Sequence, residues 1–188
     1  MAESIIEPLV REHARMRTLA GELRAHTERF DIPGIRNTAQ RMIDVYRPHV
    51  LKEEAVLFLI GMKFLKADNK KLPELFQSHD QILTRLHRLQ ALLFSARLTN
   101  VEDQARQLAF VILESIGQHF EEEESKVFPA LDQLIDDQTK ALILKRYDVM
   151  TGGGFDDLDR LPLLSLPDED PEITMDNMEK TQFGLGTI

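Results

Sequence analysis

Two stretches of the chain repeat one arrangement of donor atoms: His49 with Glu53 in "YRPHVLKEEAVLF", and His119 with Glu123 in "HFEEEESKVFP". A step of four residues is about one turn of an α-helix, so each pair presents an imidazole nitrogen and a carboxylate oxygen on one face. Such donors suit a divalent first-row cation. A single H-x3-E pair is usually a solvated contact between side chains one turn apart, and a lone inward histidine is usually a hydrogen-bonded core residue. The metal reading therefore rests on how many such residues come together, and on where the elements place them.

A helical wheel at about 100° per residue separates the four consecutive glutamates. Ile112, Ser115, Ile116, Val127, Ala130 and Leu134 share the face of His119, and Glu123 lies near its middle. Glu122 falls on the flank, while Glu121 and Glu124 turn to solvent. On the preceding ligand stretch, Met42, Val45, Tyr46, Val56, Leu57 and Ile60 share the face of His49, with Glu53 in the middle and Glu54 rotated outward. His13 lies among Ile6, Leu9, Val10 and Ala20; His79 lies among Leu72, Leu75, Phe76, Leu83 and Leu86. A buried, uncompensated carboxylate costs several kcal/mol, so Glu53 and Glu123 each require a cation or a hydrogen-bonding partner.

The elements that carry these residues read as helices. Ser4 and Glu7 form a capping box around "SIIE", with Pro8 tolerated in the first turn of a helix that runs to about Glu28. "FDIPG" breaks it. A second helix spans about Ile35 to Ile60, and a lysine-rich connection, "GMKFLKADNKK", leads to a third, opened by Pro73 and ending near Arg97. Asn100 caps a fourth that continues to about Ile135, and residues 137–149 form a shorter fifth. Four long amphipathic segments with short connections predict an all-α, up-down-up-down antiparallel four-helix bundle.

In such a bundle, residues at one height are equidistant from the turn between their helices. The midpoints of 13 and 49, of 49 and 79, and of 79 and 119 are Asp31, Phe64 and Thr99, each within or beside a breaker. His13, His49, His79 and His119 therefore share a layer with Glu53 and Glu123. His26 faces away from His13, and His87 is two turns from His79, roughly 12 Å along the axis; both read as groups outside the cluster. Pro48, just before His49, is expected to kink its helix and aim the imidazole inward. The phenylalanines and Met16, Met42 and Met62 read as core filler, and Arg17 as the partner of a nearby acid.

Composition narrows the function. The chain has 188 residues and a formal net charge of −9, which disfavours nucleic acid and anionic membranes as partners. It has no cysteine, so any metal must use nitrogen and oxygen donors. The N-terminal stretch lacks a signal-peptide pattern and no run is long enough to span a membrane, so a cytoplasmic location is expected. Residues 1–150 read as the bundle domain. Residues 151–188 carry nine acids against Arg160 and Lys180, hence −7 of the −9. That segment reads as an extended or disordered acidic tail, whose apolar pieces "LPLLSLP" and "FGLGTI" offer contacts to the bundle or to a protein partner.

Four imidazoles and two carboxylates exceed the needs of one tetrahedral zinc and suit two first-row ions, iron being favoured. The inward histidine of the first helix, H-x3-E on the second, a histidine on the third and "HFEEEESKVFP" on the fourth resemble the hemerythrin-like family, also called HHE cation-binding domains, over roughly residues 4 to 135. The resemblance implies a non-heme di-iron centre ligated by His13, His49, Glu53, His79, His119 and Glu123, with oxo or hydroxo and carboxylate bridges. Two departures stand out. Leu83 occupies the position of a second third-helix histidine found in oxygen-carrying hemerythrins, and Glu123 replaces an aspartate spaced one residue farther from its histidine.

One imidazole fewer leaves a labile position open to water, dioxygen, peroxide or nitric oxide. This favours sensing, redox stress response or iron handling. The alternatives are an enzyme that decomposes peroxide or activates oxygen, and an interaction bundle merely stapled by its metal. Tyr46, one turn before His49, is placed to hydrogen-bond a bridging oxygen or to bind the metal, and Glu122 to support the ligands from the flank. A ferritin-like bundle fits less well, because it uses E-x-x-H pairs in the opposite order.

Overall fold

Apolar residues recurring every three to four positions fold the chain into helices, and no strand occurs among the described residues. The computed structural model describes residues 4–58, 61–62, 71–94 and 100–151. Helices α1 (Glu7–Glu28), α2 (Ile32–Lys52), α3 (Lys71–Phe94), α4 (Val101–Glu122), α5 (Phe128–Leu134) and α6 (Asp137–Thr151) are joined by two π-helical segments. One, Glu53–Phe58, continues α2 and the other, Glu123–Val127, continues α4. The expected end of the third helix near Arg97, most of the lysine-rich connection and the acidic tail from residue 152 onward lie outside the described residues.

Local chemistry explains the boundaries, some of which differ from the sequence reading. The Ser4 hydroxyl accepts the Ile6 N–H at 3.2 Å and α1 starts at Glu7, so Glu7 holds the first helical position rather than the expected third. Pro8, lacking an N–H, belongs at the very start of a helix and sets the later boundary. At the other end of α1, Phe30 adopts a left-handed φ of 49°. Its N–H reaches the Thr27 carbonyl at 3.1 Å, and that of Asp31 reaches the His26 carbonyl at 2.9 Å. These are the two bonds of a Schellman motif, which satisfies the last carbonyls of the helix.

Asp31 then starts α2 at Ile32, three residues earlier than the breaker "FDIPG" suggested. Its carboxylate accepts the Gly34 N–H at 3.1 Å, and its carbonyl accepts that of Ile35 at 2.8 Å. The other carboxylate oxygen lies 2.7 Å from Nδ1 of His26. A Cβ on Gly34 would sit 2.2 Å from that nitrogen, so glycine is what lets the cap and the histidine meet. The bond from the Gly34 N–H, followed by that from His26, holds the Asp31 carboxyl below its ordinary 3.8. Pro48 is accommodated inside α2, and the departure from α-geometry comes later, at Glu53.

Two compact units make up the chain. Residues 9–50 and 75–121 form the first, with a core of Met16 and Leu23 from α1, Met42 and Tyr46 from α2, Ile82, Leu86 and Leu89 from α3, and Ile112, Ile116 and Phe120 from α4. Full burial of each large apolar side chain contributes about 1.5–3 kcal/mol. Side-chain contacts pair α1 with α2 (Glu22 with Arg41), α2 with α3 (Gln40 with Gln90), α3 with α4 (Arg85 with Ser115) and α4 with α1 (Arg106 with the Glu28 carbonyl). Because α1 touches both α2 and α4, its buried stripe is Leu9, His13, Met16, Leu19 and Leu23. Ile6, Val10 and Ala20 are only half-buried, so the face expected around His13 is rotated.

The second unit contains the described parts of residues 1–8, 51–74 and 122–151. Here α5 directly continues the Glu123–Val127 segment, and α6 packs on Glu53–Phe58. The α6 face is Thr139, Ile143, Tyr147 and Met150, at spacings of one helical turn. Gly61 and Met62 are helical; Met62 at 47% exposed, like Phe94 and Phe110 at 65% each, is not core filler. A Cβ at Gly61 would lie 2.9 Å from Leu131, so leucine packs directly on bare backbone there.

Asp136 caps α6: its carboxylate accepts the Thr139 N–H and hydroxyl, both at 2.9 Å, which pulls the carboxyl below 3.8. A folded-state value below the unfolded one means this contribution is complete above the unfolded range, near pH 4, and disappears as pH falls through the lower folded value. Asp136→Ala is expected to lower unfolding free energy by about 1 kcal/mol at neutral pH. In denaturant titrations the deficit should shrink toward pH 2.

Candidate metal centre

Both core-facing glutamates open a π-helical segment, Glu53 the first and Glu123 the second. In the second, the Phe128 N–H donates to the Glu123 carbonyl, five residues back. Pro129, in the first turn of α5, has no N–H to offer the Ser125 carbonyl four residues back. One extra residue per turn advances the buried face. Val56, Leu57 and Phe58 are all buried, as are both Val127 and Phe128. Val127 and Ala130, expected on the face of His119, are buried, but Phe128 and Leu131 join them and Leu134 is only half-buried. Such one-turn widenings occur frequently at functional sites.

The four histidines come together in the first unit, one from each long helix, and all are buried. His13 and His49 have ring centroids 4.6 Å apart, with their Nε2 atoms at 3.0 Å. His79 and His119 form a second edge-on pair, also at 4.6 Å. Tyr46, fully buried, stands between the pairs at 5.9 Å from His49, 6.0 Å from His79 and 6.4 Å from His119. Phe120 stacks flat on His13 at 3.7 Å and contacts the edge of His49, so one wall of the cluster is aromatic and apolar.

Glu53 and Glu123, each fully buried, follow His49 and His119 by one helical turn. Ligand atoms of His13, His49, Glu53 and Glu123 all lie within 4.8 Å of one another, and so do those of Glu53, His79, His119 and Glu123. Both glutamates belong to both groups. Carboxylates that close repel one another in a low-dielectric setting, and a cation relieves the repulsion. The donor set is nitrogen and oxygen only, which suits divalent first-row ions. The 3.0 Å between the Nε2 atoms of His13 and His49 is also the separation of two imidazole nitrogens held at right angles on one ion at about 2.1 Å. The residues present fit a metal.

The remaining candidates occupy the surroundings. Glu122 is half-buried, with a carboxylate oxygen 3.9 Å from the Lys126 ammonium, and Glu121 is exposed. Glu124 and Glu54 are half-buried rather than turned fully to solvent. His26 is bound to Asp31 and His87 is exposed. Leu83 packs against the apolar core. The Arg17 guanidinium lies 5.6 Å from the Phe120 ring, an aromatic contact that the sequence did not indicate.

Sequence reasoning also missed three residues. Glu12, next to His13, places a carboxylate oxygen 3.2 Å from Nδ1 of His49. Lys52, beside Glu53, is 2% exposed. Phe120, beside His119, becomes a ring platform. Sequence adjacency to a candidate ligand was the signal available for each.

A family model for the hemerythrin HHE cation-binding domain matches residues 4–131. The chain belongs to that family. Its HHE match ends within α5, so α6 lies beyond it. No curated protein and no solved structure matches the chain. The HHE domain is a cation-binding one, and the buried histidine and glutamate groups are able to hold a metal. Among the described residues no helix is long and apolar enough to cross a membrane.

Phe120 is fully buried and braces the imidazole of His13. Phe120→Ala is expected to lower unfolding free energy by about 3–5 kcal/mol, measured by chemical denaturation.

Proposed function

We propose that the protein carries a non-heme di-iron centre that binds a small ligand such as dioxygen, nitric oxide or peroxide, serving in sensing, redox stress response or iron handling. The observation that carries this reading is the overlap of the two donor groups through Glu53 and Glu123. Two imidazoles belong to each group alone, and two carboxylates belong to both. In this reading His13 and His49 hold one ion, His79 and His119 the other, and the glutamates serve both. An up-down-up-down order of the four long helices is part of the reading. It is supported by contacts in which residue numbers rise on one helix as they fall on the next, such as His13 with His49 and Glu22 with Arg41.

When bound, such a pair of ions supplies Lewis acidity and one-electron redox change to a small ligand. The chain's own residues set the conditions. Each group offers four protein donors, fewer than the six of an octahedral ion, which leaves positions for exogenous ligands. Leu83, an apolar side chain packed on the core, adds no nitrogen to the second group. Phe120 and the buried apolar residues around it exclude water. Tyr46 supplies a phenol beside three of the imidazoles, a hydrogen-bond donor for a ligand. That buried phenol also favours a second reading, an enzyme that reduces peroxide or activates oxygen.

Metal analysis of the purified chain is expected to find about two irons per chain, with a visible spectrum that changes on adding peroxide or nitric oxide. Glu123→Gln should reduce iron to one per chain or less. Peroxide consumption over many turnovers, lost in Glu123→Ala, would establish the enzyme reading. Fewer than one iron per chain in the unmodified protein overturns the di-iron proposal.

A further inference from the structure

Adjacent residues of α1 address both nitrogens of a single imidazole on α2. His13 places Nε2 3.0 Å from Nε2 of His49, and Glu12 places a carboxylate oxygen 3.2 Å from its Nδ1. His49 is fully buried, while the Glu12 side chain is 25% exposed. From this geometry we infer that Glu12 is a positioning residue, which fixes the proton of His49 on Nδ1 and so turns the Nε2 lone pair toward the point it shares with His13. The inference deepens the proposed metal site and rests on that reading for its purpose, but not for its geometry.

The chemistry follows from the inventory of donors. A carboxylate accepts hydrogen bonds and a neutral imidazole has one N–H, so the bond to Glu12 requires that N–H to be on Nδ1. The other nitrogen then carries a lone pair, the form that binds a cation.

Packing gives the same residue a second effect. His49 is edge-on both to His13 and to Phe120, with centroids 4.6 and 5.8 Å away. Those contacts limit the ring's tilt but treat its two nitrogens alike. The Glu12 bond is polar and directional, so it distinguishes Nδ1 from Nε2 and selects which one faces the cluster. A carboxylate that orients an imidazole ligand in this way also raises its basicity, and losing it typically weakens metal binding about 10–100-fold.

The test compares the full-length chain with Glu12→Gln and Glu12→Ala. Ring-nitrogen NMR on the metal-free proteins should find His49 protonated at Nδ1 in the unmodified chain and in Glu12→Gln, whose amide oxygen still accepts a hydrogen bond. Glu12→Ala should show a mixture of tautomers. Titration with cobalt(II) should give about 10–100-fold weaker binding for Glu12→Ala and a smaller loss for Glu12→Gln. Thermal melts identify any loss that is merely unfolding, and if Glu12→Ala fails to fold, the tautomer in the unmodified chain and the affinity of Glu12→Gln decide. His49 protonated at Nε2 in the unmodified chain, or cobalt affinity unchanged in folded Glu12→Ala, overturns the inference. If the unmodified chain takes up neither cobalt nor iron, the proposed function fails while the tautomer measurement still judges Glu12.

Discussion

Two carboxylates with no exposure to water, surrounded by imidazoles, are the least stable thing a helical protein of this size could contain without compensation. Removing an ionised carboxylate from water costs several kcal/mol even after the protein relaxes, and a second one close by adds repulsion. Glu53 and Glu123 are both fully buried, and their carboxylates lie close to one another among imidazoles. Marginal overall stability, commonly about 5–15 kcal/mol, cannot absorb two such charges for no purpose. A cation reverses the sign of the problem, because the carboxylates that repel each other then attract a shared charge. The hydrogen-bonding groups around them, and the apolar packing beyond, are best understood as consequences of that single constraint.

The apolar core fixes where the nitrogens go. Each of the four long helices supplies one buried histidine, and on each helix that histidine continues a stripe of leucine, isoleucine, methionine or phenylalanine. Because interiors pack densely, those stripes hold the rings to a narrow set of positions. Packing alone cannot choose between the two nitrogens of an imidazole, which have nearly the same shape. Stacking of Phe120 on His13 sets a plane; the bond from His49 to Glu12 sets a direction. Precise placement thus comes from apolar contacts, and chemical identity from a polar contact at the edge of the core.

Much of this was legible in the sequence because a helix converts spacing into geometry with little ambiguity. H-x3-E puts both donors on one face, and equal distances from three breakers put four histidines at a comparable height, without knowledge of any contact. The family resemblance covered nearly the same residues as the family match, 4–131. What escaped was whatever departs from the regular helix or depends on a neighbouring one. A π-turn adds a residue without any compositional mark, so Phe58 and Phe128 are buried although a regular wheel turns them away from the face of His49 and His119. The start of α2 moved because Asp31, Gly34 and His26 make a local cap that depends on the bare backbone of glycine. Glu12 drew no notice, since nothing in α1 alone reveals that its partner sits on α2.

Those departures are not randomly distributed. Both π-helical segments start at a carboxylate of the cluster, and one helical turn before each lies its histidine. Up to the glutamate the chain keeps α-geometry, so the spacing that brings nitrogen and oxygen onto one face is preserved. Past it, the geometry changes and the buried face is reset. An uninterrupted α-helix would tie the direction of the carboxylate to the packing of the next two turns; widening the turn at that residue separates the two requirements. Pro129 stands six residues after Glu123, in the first turn of α5. No proline follows Glu53 within its segment, Glu53–Phe58, yet the same geometry recurs. Recurrence without the same local cause ties the π-turn to the glutamate rather than to proline.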